Sequence, residues 1–392
     1  MPLLEGRRIW FVGIGGAGLS GYALLARAWG AEVGGWDRVE TPYLKGIEGV
    51  PIELAPEPVV PPGWDEVVVS TAYSGQAEGK SRAEFLAELV SLQPSIVVAG
   101  AHGKTTTAAM IAFCLDRLGD DPAFLIGGEV PQLGGNARAG DGWLVVEGDE
   151  SDRTVASLRP AIAVVTNVDL DHHSEFASRT EVASLFDGWV GSAANSVRGE
   201  GLAPVDFELA VPGDHNRRNA ATALAAVELA GFSRDEALVA LRDFRGVARR
   251  LEVRGEAGGV AVLDSYAHHP TELAADIAAV RDGGRVLVLF QPHLYSRTRH
   301  LAHEFGHTLA SADIVAVTDV YRAREDPVEG VTGKLVADAA GDARPGMEIG
   351  WTPTLEDGAT FLARRARAGD RVLTLGAGDV DRAAALILEA LA

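Results

Sequence analysis

The stretch "SIVVAGAHGKTTTAAMIAFCLDRLG", residues 95–119, constrains the fold more than any other. An apolar run rich in Val and Ile reads as a buried strand, a glycine turn follows, and the remainder reads as a helix ending at a glycine. The turn closes with Gly103-Lys104-Thr105, the end of a phosphate-binding loop. The usual spacing G-x-x-x-x-G-K-[ST] would place the first glycine at position 98, where Val98 stands. Gly100 is the nearest upstream glycine, so the loop is the tighter G-A-H-G-K-T. Its position between strand and helix is the context such a loop requires. In such a loop backbone N–H groups would cradle phosphate, Lys104 would reach the transferred phosphoryl group, and the Thr105 hydroxyl would bind magnesium, a hard cation that prefers oxygen.

Short apolar runs alternate with helix-like stretches along most of the chain. Strand-like runs occur at 8–15, 31–37, 66–70, 95–100, 143–150, 161–168, 260–270, 285–293, 313–321 and 371–379. Runs of this kind separated by helices predict an α/β protein whose parallel sheets are covered on both faces. With 392 residues the chain is long enough for two or three domains. Breaks near 93–95 and 244–250 divide it into 1–94, 95–246 and 247–392.

Near the N-terminus "GIGGAG" sets Gly13, Gly15 and Gly18 in G-x-G-x-x-G register, with Gly16 between them, after one strand and before a helix. Glycine permits the tight turn and close approach to a phosphate, and the helix start offers free N–H groups. Asp37, at the end of the next strand, is placed to hold a ribose hydroxyl. The motif supports a diphosphate without saying which nucleotide carries it; a nicotinamide or flavin cofactor, or a glycine turn with no ligand, would look the same.

Two acidic clusters follow later strands. "VVEGDESD" carries Glu147, Asp149, Glu150 and Asp152, and "TNVDLDHH" carries Asn167, Asp169, Asp171, His172 and His173. An acid at a strand end beside a phosphate loop holds magnesium directly or through water. A histidine among acids, His172, is a candidate ligand for a second metal. The net charge of −20 argues against nucleic acid and anionic membranes as partners. The single cysteine, Cys114, permits no intramolecular disulfide and points to a reducing compartment. The first residues enter a strand-like run with no leader pattern, and no apolar run reaches a membrane span, so a cytoplasmic protein is expected, as monomer or homodimer.

The ordered motifs "GIGGAGLSG", "GAHGKTTT", "EGDESD", "TNVDLDHH", "PGDHNRRN", "RRLE", "DSYAHHPTE", "FQPHLYSRT" and "YRAREDPVEGVTG" resemble the Mur ligases over all three domains. "DSYAHHP" and "QPHLYSRT" resemble the branch that adds L-alanine to UDP-N-acetylmuramate and its murein-recycling relative. The resemblance implies a Rossmann-like first domain holding the UDP-sugar, a central ATP-binding domain, and a Rossmann-like last domain presenting the amino acid. It implies an acyl-phosphate mechanism in peptidoglycan precursor synthesis, with ATP and Mg2+. Carried over by residue, Gly100, His102, Gly103, Lys104, Thr105 and Thr106 would form the phosphate loop, and Thr105, Glu147 and His172 would serve the metals. His215, Asn216 and Asn219 would support the ATP site, with Arg249 on its phosphates and Asp264 on its ribose. Gly13, Gly15, Gly16, Gly18, Asp37 and Ser70 would face the UDP-sugar, and Tyr266, His268 and Arg297 the amino acid. Lys104, His268 and Arg297 are the expected catalytic residues.

The chain departs from the family in two places. Residues 174–211 are shorter than the family's usual segment, which carries extra strands, and Ser265 stands where the family more often has a second acid. Addition of a preformed tripeptide, and nucleotide binding without catalysis, remain alternative readings.

Overall fold

The computed structural model describes residues 3–150, 152–170, 176–281, 284–323 and 325–392. Its strands form three sheets, in two compact units: residues 1–210 with 217–245, and residues 211–216 with 246–392.

The first sheet of the first unit contains β1 (Arg8–Val12), β2 (Glu32–Asp37), β3 (Ile52–Leu54), β4 (Glu66–Val69) and β5 (Lys80–Ser81), with α1 (Ala17–Ala28) and α2 (Arg82–Leu92). The strand order is β3-β2-β1-β4-β5, all parallel. The chain moves outward from β1 to β3, then returns to pair β4 on the other side of β1. Such a reversal opens a crevice at the carboxyl ends of the two central strands. Gly13 and Ser70 stand there.

The second sheet is built from β6 (Ser95–Ala99), β7 (Ala123–Val130), β8 (Gly135–Arg138), β9 (Leu144–Glu147), β10 (Ile162–Val165) and β11 (Asn195–Arg198). Its helices are α3 (Lys104–Arg117), α4 (Arg179–Val190), α5 (Asp214–Leu229) and α6 (Arg234–Leu241). The order β11-β10-β6-β9-β7-β8 puts the fully buried β6 between β10 and β9. The strand ends that carry the phosphate loop and both acidic clusters are therefore neighbours. From Thr105 to Leu115 every residue of α3 is buried. A helix apolar nearly all round belongs inside a core, and this one fixes Lys104 and Thr105 on a rigid base. The first and second sheets share one hydrophobic core, in which Gly21 of α1 fits so closely that a Cβ would stand 2.9 Å from Leu125.

The second unit holds β12 (Glu252–Ala257), β13 (Val260–Ser265), α7 (Pro270–Ala279), β14 (Val286–Phe290), α8 (Tyr295–Leu309) and β15 (Ile314–Val317). It continues with α9 (Lys334–Ala343), β16 (Glu348–Trp351), α10 (Leu355–Ala363), β17 (Arg371–Leu375) and α11 (Arg382–Leu391). The order is β12-β13-β17-β14-β15-β16. Hydrophobic clusters lie on both faces, one under α7, α8 and α9 and one under α10 and α11.

The sheets are not parallel throughout. Both β8 and β12 run antiparallel to their neighbours, as edge strands joined through turns rather than crossover helices. Within the short stretch 176–213 the regular elements are α4, β11 and a single helical turn.

Candidate functional site

The phosphate loop follows β6 directly. Gly100 has φ +127°, and a Cβ there would lie 2.2 Å from Thr166 Oγ1. Gly103 has φ +79°, and a Cβ there would lie 2.5 Å from Asn219 Oδ1. Both positions therefore require glycine for conformation and space. Side chains from the end of β10 brace the turn between them. Asn167 Oδ1 accepts from the His102 N–H at 3.0 Å, and its Nδ2 donates to the His102 carbonyl at 2.8 Å. Thr166 Oγ1 donates to the same carbonyl at 2.7 Å. His102 Nε2 stands 3.3 Å from Asp169 Oδ2.

Lys104 Nζ donates to the Gly100 carbonyl at 2.7 Å and to Glu150 Oε1 at 2.9 Å. Burial alone would favour the neutral amine. The carboxylates of Glu150, Glu147 and Asp149 outweigh it and hold the ammonium above its ordinary value. Glu150 is only 2% exposed, so its negative charge is matched locally rather than by solvent. Thr105 Oγ1 lies 3.0 Å from both carboxylate oxygens of Glu147, and the Gly127 N–H donates to Glu147 at 2.8 Å. A hydroxyl and an anionic carboxylate converging beside a phosphate-binding turn are oxygen donors suited to Mg2+. Thr106 is buried in the first turn of α3. His172 lies outside the described residues.

In the first sheet, Gly13 has φ +89° and its backbone packs against Ser70 and Tyr73, where a Cβ would lie 2.8 and 2.9 Å away. Gly16 caps α1, and Gly18 lies in its first turn. Asp37, expected to hold a ribose hydroxyl, closes β2. It is 6% exposed, accepts from the Gly15 N–H at 2.7 Å through Oδ2, and accepts from the Arg38 N–H at 2.7 Å through Oδ1. The carboxylate thus shapes the glycine turn. Ser70 accepts from the Ala72 N–H at 3.4 Å and opens a short helical turn. Arg82, absent from the sequence-based candidates, places its guanidinium near Gly18, where a Cβ would be 3.7 Å from Nε. It is a fixed cation beside the glycine loop, and no spacing rule tied residue 82 to residue 18.

In the second unit the parallel β13, β17 and β14 lie side by side, so 264–268, 376–381 and 291–297 share one sheet edge. Arg249 and Asp264 are locked to each other at 3.0 Å. Arg249 also donates to the Gly378 and Gly376 carbonyls at 3.0 and 2.9 Å. Asp264 is 0% exposed and accepts from Thr374 at 2.6 Å. Burial raises its carboxyl and the Thr374 and Arg249 bonds oppose the rise. The pair ties β13 to the loop after β17. Tyr266 is 36% exposed beneath the guanidinium groups of Arg249 and Arg250, 5.2 and 5.5 Å from its ring centroid. His268 Nδ1 stands 3.0 Å from the Tyr266 carbonyl. A carbonyl only accepts, so Nδ1 donates in this contact; Glu272 Oε2 stands 3.5 Å from the same nitrogen. Arg297 lies half-buried in the first turn of α8. His215 Nε2 stands 3.8 Å from Asp276, and the buried Asn216 donates to the Pro212 carbonyl at 2.7 Å. Both belong to the second unit, whereas Asn219 lies against Gly103 in the first.

Two family models match this chain: the Mur ligase middle domain over residues 98–187, and the Mur ligase glutamate ligase domain over 249–378. A UDP-N-acetylmuramate–L-alanine ligase of Renibacterium salmoninarum is 38% identical, covering 98% of this chain and 96% of that protein. The chain belongs to the Mur ligase family. A second relative of the same name, from Streptomyces coelicolor, is 39% identical over 97% of each chain. The crystal structure of UDP-N-acetylmuramate-alanine ligase MurC from Thermotoga maritima superposes with a TM-score of 0.77 and 26% identity, covering 97% of this chain and 98% of that one. A murein peptide ligase from Psychrobacter arcticus shares the fold with a TM-score of 0.64, over 98% of this chain and 99% of that one, at 23% identity. This Mur ligase has the three-domain α/β fold, with Rossmann-like domains. The alignment to the Renibacterium protein runs over 452 positions against a chain of 392 residues, so that relative carries segments absent here.

Proposed function

We propose that this Mur ligase joins L-alanine to the carboxylate of UDP-N-acetylmuramate, converting ATP to ADP and phosphate, as a cytoplasmic step of peptidoglycan precursor synthesis. The observation that carries the reading is the convergence of Lys104, Thr105 and Glu147 around one glycine-pinned turn. It is supported by full-length relatives that bear this activity in their names.

The chemistry divides between the units. In the first, the glycine loop of β1 and the cation Arg82 suit the UDP diphosphate, with Ser70 beside them. The second glycine turn, Gly100 to Gly103, suits the phosphates of ATP. Thr105 and Glu147 would hold Mg2+, which neutralises phosphate charge when bound, and His172 is proposed for a second metal position. The sugar carboxylate attacks the terminal phosphorus and ADP leaves, giving an acyl phosphate. Two anions must meet in that step, and Lys104, kept charged by its acidic neighbours, lowers the barrier. In the second unit Arg297 is suited to a forked grip on the alanine carboxylate. His268 Nε2 accepts a proton from the alanine ammonium, and Tyr266 forms one wall. The amine then attacks the acyl carbon, and phosphate departs from the tetrahedral intermediate.

The test is ADP release with ATP, Mg2+ and UDP-N-acetylmuramate, with and without L-alanine, beside wells containing glycine, L-serine or the murein tripeptide. Release that requires both the sugar nucleotide and L-alanine supports the proposal. Release only with tripeptide and the free muramyl sugar assigns the recycling reaction. Tight nucleotide binding with no release for any amine removes catalysis from the reading.

A further inference from the structure

Helix α8 contains His303-Glu304-Phe305-Gly306-His307, the H-E-x-x-H spacing that places two histidines on one helical face. The opposite face is committed to the core through Thr298, Leu301, Phe305 and Leu309. Gly306 seats α8 against α9, since a Cβ there would lie 2.5 Å from the Ala339 backbone. His303, Glu304 and His307 are exposed. None of them has a place in the proposed ligase chemistry.

The two histidines already converge. Their Nε2 atoms are 3.2 Å apart, and their ring centroids 4.4 Å. Two imidazole nitrogens held about 2.05 Å from one ion, at angles of roughly 90–110°, stand about 2.9–3.4 Å from each other. The separation of the two nitrogens therefore already matches that of two ligands on one ion. The packed helix supplies that pre-organisation, and the chain's net charge of −20 favours cations at its surface.

The spacing also names a class of hydrolase, and the structure argues against that chemistry. Catalytic zinc sites use three protein ligands and a water. Among the described residues no third His, Cys or carboxylate converges with His303 and His307. Binding is what the pair can do. Imidazole suits Cu2+, Ni2+ and Zn2+, whereas Mg2+ prefers oxygen donors.

We infer that α8 carries an exposed two-histidine chelate for a divalent transition ion, completed by water and distinct in chemistry from the magnesium position proposed at Thr105 and Glu147. The test titrates Ni2+ into the full chain in excess Mg2+, by calorimetry, for the unaltered protein and for His303→Ala, His307→Ala and the double variant. His303→Gln serves as a bulk-preserving control. The unaltered chain binds one more equivalent than the double variant, and each single variant weakens that equivalent roughly tenfold or more. Ni2+ broadens the ring proton resonances of His303 and His307 at the first equivalent. Retention of α8 is checked by circular dichroism, and ADP release in the absence of transition metal stays unchanged in every variant. Equal stoichiometry and affinity in the unaltered chain and the double variant would overturn the site, as would broadening at other histidines first.

Discussion

Replacing Asp276 with asparagine should remove one defined part of this protein's response to pH. Asp276 is buried on α7, and the Ser265 hydroxyl donates to its Oδ2 at 2.5 Å. His215 Nε2 is 3.8 Å from Oδ1, and Glu272 and Arg250 also act on the group. Burial pushes the carboxyl from an ordinary 3.8 up to about 7; the Ser265 bond opposes the rise, Glu272 adds to it and Arg250 reduces it. The folded chain thus keeps a proton that the unfolded chain releases at lower pH. Its stabilising contribution is complete below the unfolded value and lost as pH rises through 7. Linkage puts that loss at about 2 kcal/mol between about pH 5.5 and about pH 8.5. The amide introduced by Asp276→Asn would keep an oxygen to accept from Ser265 and would have no proton to lose. Urea unfolding followed by circular dichroism across this range gives the comparison. The variant should gain about 2 kcal/mol on the unaltered chain from the acidic to the alkaline end. A difference that stays flat with pH would refute the claim that burial raises the Asp276 carboxyl toward neutral pH.

Lys104→Ala should abolish ADP release, by more than about a hundredfold, while UDP-N-acetylmuramate still binds with nearly unchanged affinity in calorimetry. Equal loss of both, in a folded variant, would contradict the division between the two glycine loops. Arg297→Ala should raise the KM for L-alanine by about tenfold or more and leave the KM for ATP nearly unchanged; a selective ATP defect would move Arg297 to the nucleotide site. Cys114 is buried, and burial pushes its thiol up to about 12. The native chain should therefore resist a disulfide reagent at mildly alkaline pH and react fully once unfolded, and rapid native labelling would contradict the packing of α3.

Local chemistry made some features legible from residues alone. The run 95–99 is apolar after its first residue and became the central strand. The Gly103-Lys104-Thr105 ending located the turn, and the acid run after 144–146 located Glu147. Each signal is short-range: period, glycine tolerance, or a strand end. The sequence could not show that Asp37 turns its carboxylate onto the Gly15 N–H, or that Asp264 is sealed beneath Arg249 and Thr374. Both are acids at strand ends, where ligand-binding and structural carboxylates look alike. Nor could it find Arg82, which reaches Gly18 across a gap of sixty-four residues.

The sequence by itself determined the α/β class, the succession of strand and helix, the two glycine turns and the residue types needed for phosphoryl transfer. Periodicity and backbone preference act between near neighbours, and these features rest on them. Strand order was decided only in the tertiary structure, because pairing depends on which apolar faces find each other. That order sets β9 and β10 on either side of β6. It turns three separate motifs into one cluster in which Thr105 meets Glu147, Lys104 meets Glu150 and Asn167 clamps His102. It also separated carboxylates that face solvent from those buried against arginine, threonine or backbone N–H. Burial and partner, neither of which is encoded at a single position, assigned those acids their roles.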